Sequence, residues 1–101
     1  MTEAPIIINA HIHAAPGHEK ELGSALHALV APSREESGVL VYELHFDPED
    51  PGRFMSYEKF ASQAALDLHV ASPHFEKFQS YLNEKGNPIA AQTVTRWQSI
   101  D

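Results

Sequence analysis

The segment at residues 47–52, Asp-Pro-Glu-Asp-Pro-Gly, restricts the fold of this chain more than any other feature. Two prolines and a glycine within six residues cannot continue a strand ladder, so the segment predicts a turn. On either side, residues 39–46 and residues from about 53 to 60 show the alternation of a strand. We therefore expect these two strands to form an antiparallel hairpin.

A strand and a helix are predicted before this hairpin. Residues 6–13 alternate between two faces, which is typical of a strand. Pro16 and Gly17 end it. A stripe of apolar residues then recurs at helical spacing from Leu22 to Val30, and Pro32 is expected to end or kink that helix.

Two helical segments and a last strand are predicted after the hairpin. Ser62 and Ser72 are each suited to cap the start of a helix, and Pro73 occupies the first position of the second segment. Gly86 and the residues after it end that helix, and residues 89–97 follow as a strand.

The resulting order, β-α-β-β-α-β, predicts one α+β domain over residues 1–101 with the ferredoxin-like sandwich fold. Its helices would cover one face of a four-stranded antiparallel sheet. The strands carry large side chains on both faces, as Tyr42 beside Val41 and Phe54 beside Met55 show. A homodimer packed sheet on sheet would cover the second face, so we expect a homodimer.

Composition excludes several classes of function. Seven Lys and Arg oppose 14 Asp and Glu, and no basic run occurs, which argues against nucleic-acid and anionic-membrane partners. The chain has no Cys and no apolar run of about 18 residues, so we expect a cytoplasmic protein rather than a membrane protein. It has no glycine-rich phosphate loop and no dinucleotide fingerprint, so any catalysis would use general acid-base groups and an apolar pocket.

The strongest candidate for a site is a pocket near the break at residues 71–73. His69 follows Leu66 by three residues and so faces the sheet, where it is either a hydrogen-bonded core histidine or a proton-transfer group. Phe75 and Phe78 would form an apolar wall. His69, Tyr42 and Tyr57 are the candidate catalytic residues, and the candidate substrate-binding residues are Leu66, His74, Phe75 and Phe78.

His11 and His13 point to the same side of the first predicted strand and could share a metal ion. Because no third ligand with a suitable loop follows them, we predict no metal site there or elsewhere. The roles of His11, His13 and His45 stay open.

Two stretches of the sequence are similar to the antibiotic biosynthesis monooxygenase family: residues 37–60, containing Ser-Gly-Val-Leu-Val-Tyr-Glu-Leu and Tyr-Glu-Lys-Phe, and residues 64–75, Ala-Ala-Leu-Asp-Leu-His-Val-Ala-Ser-Pro-His-Phe. The resemblance implies a dimeric α/β barrel of two ferredoxin-like units. It also implies oxygenation of a quinol or polycyclic phenol by molecular oxygen without a cofactor, in which the deprotonated substrate supplies the electrons. The haem-degrading relatives of this superfamily are a poorer match. They have an Asn on the first strand, a Trp on the second helical segment and a haem-ligating His, and Ala10, His69 and Gln79 occupy those positions here.

An alternative from another class is a non-oxidative small-molecule binding protein, or an isomerase, on the same scaffold, since fold alone does not fix function. Oxygen uptake with a panel of quinols separates the two hypotheses.

Overall fold

The computed structural model describes residues 4–100. Its elements follow in the predicted order, with each helical region divided in two. They are β1 (Ile6–Ala14), α1 (Glu19–His27), α2 (Val30–Glu35), β2 (Val39–Asp47), β3 (Asp50–Phe60), α3 (Gln63–Val70), α4 (Pro73–Glu84) and β4 (Ile89–Gln98).

The four strands form one antiparallel sheet in the order β2-β3-β1-β4. The two central strands are therefore β1 and β3, and the prediction of a ferredoxin-like α+β fold is confirmed. Leu22 and Leu26 of α1 are buried against Ala10, Ile12 and Phe54 of these strands. This cluster forms the main apolar layer between the helices and the sheet.

The turn of the hairpin is shorter than predicted. Asp47 pairs with Asp50, so β3 already includes Pro51 and Gly52. Pairing with β2 passes from Phe54 directly to Asp50, which places Pro51 in a bulge. A proline is tolerated there because the bulge requires no ladder hydrogen bond from its nitrogen.

Pro32 is predicted to end or kink the first helical region, and that region does break, one turn before the proline, where its ring meets the carbonyl of residue i−4. The break lies at Ala28 and Leu29, and Pro32 lies inside α2 as its third residue. The first-turn nitrogens of a helix have no intrahelical acceptor, so a proline costs little at that position. The break lets Leu29 and Val30 pack on Tyr42 of β2 as a second buried cluster.

Both predicted serine caps are confirmed. Ser62 Oγ accepts a hydrogen bond from the Ala65 N–H at 3.1 Å, and Ser72 Oγ accepts one from the Phe75 N–H at 3.3 Å. Ser72 Oγ also donates to the carbonyl oxygen of His69 at 2.6 Å. The Ser72 hydroxyl therefore ties the end of α3 to the start of α4 and fixes the angle between them.

Within residues 4–100, the helices are all too short or too polar to cross a membrane.

Candidate functional site

A cavity of about 420 Å³ lies between the helices and the sheet. This volume falls within the range of about 300–1,000 Å³ that is usual for small-molecule sites. Its walls are mostly apolar, and among them are Ile8, Ala10, Leu44, Leu66, Phe75 and Phe78. The polar groups that reach it include Tyr42, Ser56, Glu58 and His69. An apolar cavity with a few grouped polar atoms suits a ligand with a ring and a hydroxyl group.

His69 forms part of the cavity wall, and its side chain is 2% exposed. It lies in the last turn of α3, with its ring packed among the rings of Tyr42, Phe60 and Phe75 at centroid distances of 5.2–5.6 Å. A buried imidazole needs a polar partner. Its Nδ1 lies 2.8 Å from Glu36 Oε2.

Glu36 joins two histidines. The same oxygen, Oε2, lies 2.7 Å from Nε2 of His74. Glu36 caps the C-terminus of α2, and His74 lies in the first turn of α4, so three separate elements meet at one carboxylate. The side chains of Glu36 and His74 are 19% and 18% exposed. The cluster thus extends from the cavity wall at His69 towards solvent. Its three ligand-type atoms lie within 4.8 Å of one another.

Glu58 is a buried carboxyl group in the cavity. Its Oε2 accepts a hydrogen bond from Ser56 Oγ at 2.7 Å. Burial raises the pKa of Glu58, although the Ser56 hydrogen bond and the nearby His69 act in the opposite direction. Glu58 is therefore protonated over a wider pH range than an exposed glutamate.

Tyr42 is the tyrosine whose side chain lines the cavity. Burial raises the pKa of Tyr42 above its ordinary value, and the negative charges of Glu58 and Glu36 raise it further. Tyr42 therefore remains a neutral hydrogen-bond donor across the physiological range. Tyr57 lies between Ser56 and Glu58 on β3, so it points to the opposite face of the sheet. The two candidate tyrosines are not brought together.

The other predicted residues divide between two places. Leu66, Phe75 and Phe78 line the cavity beside His69. His74, predicted to bind substrate, does not line this cavity. It forms a hydrogen bond with Glu36 outside the cavity instead.

Sequence reasoning missed three residues of this region: Glu36, Ser56 and Glu58. Ser56 and Glu58 share strand parity with Phe54 and Phe60, which are core residues, so their inward direction could have been found from alternation. Glu36 gave no such signal, because it ends a helix and its contacts are 33 and 38 residues away in the sequence.

The remaining strand histidines form separate local pairs on the side of the sheet away from the helices. Nε2 of His11 lies 3.0 Å from Asn9 Oδ1, Nε2 of His13 lies 3.0 Å from Asp50 Oδ2, and Nε2 of His45 lies 3.5 Å from Glu43 Oε1. His11 and His13 thus have different partners.

Comparison with known proteins agrees with this architecture. The family model "Antibiotic biosynthesis monooxygenase" matches residues 5–81. The Mycobacterium tuberculosis protein named "Putative monooxygenase Rv0793" is 30% identical over 91 residues, covering 90% of this chain and 89% of that protein. The Bacillus subtilis protein named "Putative monooxygenase YcnE" is 32% identical over 73 residues, covering 72% and 77%. The crystal structure of PA3566 from Pseudomonas aeruginosa superposes with a TM-score of 0.89 at 34% identity, covering 100% of this chain and 99% of that one.

Proposed function

Because the chain belongs to the antibiotic biosynthesis monooxygenase family, we propose that it oxygenates a phenol or quinol held in the cavity, using molecular oxygen and no cofactor. The observation that carries the proposal is His69, which lies in an apolar cavity wall with Nδ1 bonded to a carboxylate outside that cavity. The mostly apolar walls of the cavity suit an aromatic ring, and the grouped polar atoms suit its hydroxyl.

His69 is the proposed base. When Nδ1 carries the ring proton and donates it to Glu36, the second nitrogen, Nε2, keeps a free electron pair. That nitrogen accepts the proton of the ligand hydroxyl. Positioned proton transfer of this kind contributes about 10²–10⁴-fold to a rate.

Tyr42 and Glu58 are proposed to hold the ligand oxygen. Both are buried, both line the cavity, and burial keeps both of them protonated more readily than usual. A hydrogen bond from a buried, neutral donor stabilises the phenolate that forms when the proton leaves.

The chemistry that follows is between the phenolate and oxygen. The phenolate transfers electrons to O₂, and a bond forms between one oxygen atom and a ring carbon that bears hydrogen. Loss of that hydrogen as a proton and cleavage of the O–O bond give a quinone. One oxygen atom remains on the ring, and the other leaves as water with the two hydrogens lost from the substrate. The substrate supplies all the electrons, so no external reductant is required.

We also propose that the protein is a homodimer in which the two sheets face each other. Trp97 of β4 is 58% exposed, and by alternation it shares the face of the sheet away from the helices with Tyr57 and Met55. Burial of such a face on a second copy would remove its apolar area from water. Light scattering should give twice the mass of one chain, whereas a stable monomer at micromolar concentration would contradict the dimer.

The oxygenation is tested by oxygen uptake in metal-free buffer with a panel of quinols and polycyclic phenols. With ¹⁸O₂, mass spectrometry should find one labelled atom in the quinone product. A phenol that binds the protein but causes no oxygen uptake would instead support the non-oxidative binding protein.

A further inference from the structure

We propose that Glu36, His69 and His74 form a binding site for a divalent metal ion of the zinc type, on the side of His69 away from the cavity. This site goes beyond the proposed oxygenation, which needs no metal, and it was not expected from the sequence. Its test requires no substrate.

The donor set is the first argument. Two imidazole nitrogens and one carboxylate oxygen are a ligand set that zinc takes in proteins, with a water molecule as the fourth ligand. One ligand atom from each residue lies within 4.8 Å of the other two. The hydrogen bonds place His69 Nδ1 and His74 Nε2 on the same oxygen, Glu36 Oε2. They come from α3, α4 and the end of α2, so the fold itself brings them together.

Zinc binding requires the ligand atoms to move apart or together to the spacing of a tetrahedral site, from separations that are now within 4.8 Å. The two nitrogen–oxygen distances are 2.8 and 2.7 Å, as hydrogen bonds require. Ligands about 2.0–2.1 Å from a tetrahedral zinc ion lie about 3.3 Å apart, so each nitrogen–oxygen pair must separate by about half an ångström. Glu36 and His74 are partly exposed and can make this movement, and water can reach the ion from their side.

Charge also favours a cation at this place. Glu36 accepts both hydrogen bonds with one oxygen, so a metal ion would replace two N–H protons that now point at the same carboxylate. Neutral imidazoles then offer their electron pairs to the ion. The chain as a whole carries a formal net charge of −7, which also attracts cations.

Occupation of the site has a defined consequence for His69. A neutral imidazole has one proton and one free electron pair. When the metal takes the pair at Nδ1, the proton lies on the other ring nitrogen, Nε2. In the proposed oxygenase, that change removes the proton acceptor, and this consequence alone rests on the proposed function.

The test is zinc binding to protein purified without a histidine tag, measured by calorimetry, with cobalt absorption to report the ligand geometry. His74→Gln is the main variant, because the residue is partly exposed and its replacement preserves the core. His13→Gln is the matched control, since His13 also pairs with a carboxylate but lies on the sheet. Thermal melting verifies that both variants fold.

We expect one zinc ion per chain, with affinity at least about tenfold lower in His74→Gln and unchanged in His13→Gln. Even replacing a residue that only hydrogen-bonds to a metal ligand lowers metal affinity about 10–100-fold. In ¹⁵N spectra of the histidine rings, zinc should move the His69 proton to Nε2. Equal affinity in the two variants, no stoichiometric binding, or an unchanged His69 spectrum on saturation would each overturn the proposal.

Discussion

Glu36 Oε2 lies 2.8 Å from His69 Nδ1, although 33 residues separate the two in the sequence. The carboxylate selects the ring nitrogen that carries the proton, and it does so from outside the cavity. An imidazole whose one nitrogen donates in this way keeps a free electron pair on its other nitrogen. This relationship converts a buried core histidine into a candidate base.

Glu36→Gln should lower turnover more than it lowers ligand affinity. The amide retains the size of the carboxylate but loses the charge that stabilises the protonated His69 ring. We expect kcat to fall about 10–100-fold with KM changed only slightly, which is less than the contribution of about 10²–10⁴-fold from positioned proton transfer, because His69 itself remains. Steady-state kinetics measure the two constants separately. A rise in KM at constant kcat would mean that Glu36 supports binding alone.

Tyr42→Phe should weaken ligand binding while the fold is retained. The substitution removes one hydroxyl group from the cavity and leaves the ring packed on His69. A hydrogen bond is worth about 0.5–1.5 kcal/mol net, so affinity should fall up to about tenfold. Titration with a phenol that binds the wild type measures this change. Tyr57→Phe is the comparison, because Tyr57 points to the other face of the sheet; an equal loss there would contradict the placement of the site.

The stability of the protein should depend on the protonation of Glu58. Burial raises the pKa of Glu58 in the folded state, so the folded protein retains this proton to higher pH than the unfolded chain does. Wherever the folded state binds more protons, stability falls as the pH rises. This contribution is therefore fully present below the ordinary glutamate pKa and is lost as the pH rises through the folded-state pKa.

The matching variant is Glu58→Gln, which retains the Ser56 hydrogen bond without a titrating group. Urea unfolding of both proteins between about pH 4 and pH 8 should show a smaller loss of stability in the variant. Parallel curves for the two proteins would refute the role of Glu58.

Gly38→Ala should destabilise the fold through one contact. A β-carbon added at Gly38 would lie 2.5 Å from the β-carbon of Ala65, in the first turns of α3, and neither group can rotate away. Overpacking of this kind costs about 1–3 kcal/mol. Adding Ala65→Gly should relieve part of this cost, because it removes the opposing carbon. Ala65→Gly alone also costs about 1 kcal/mol in a helix. A double variant whose loss of stability equals the sum of the two single losses would therefore show that the cost has another source.

Local sequence signals were enough for the elements and their order. Ser62 and Ser72 marked two helix starts correctly because a cap depends only on residues three positions away. Pro51 was misplaced because a proline's effect depends on whether its position requires an N–H donor, and a bulge does not.

The site was only partly predictable for a related reason. Helical spacing placed His69, Leu66 and Phe78 towards the sheet, and all three line the cavity. The hydrogen-bond partner of His69 depends on where the C-terminus of α2 lies relative to α3. That is a tertiary arrangement, and no sequence pattern predicts it. Glu36 is one of 14 acidic residues, and nothing local distinguishes it from the others.

The most direct test of the central claim compares the wild type with His69→Gln for turnover of a quinol substrate, ligand affinity and thermal stability. Glutamine fits the space of the ring but cannot accept a proton to become a cation. We predict a loss of turnover of about 10²–10⁴-fold, with the melting temperature and ligand affinity nearly unchanged. Full activity in His69→Gln, or activity that falls only in step with unfolding, would show that His69 is a core histidine without a role in catalysis.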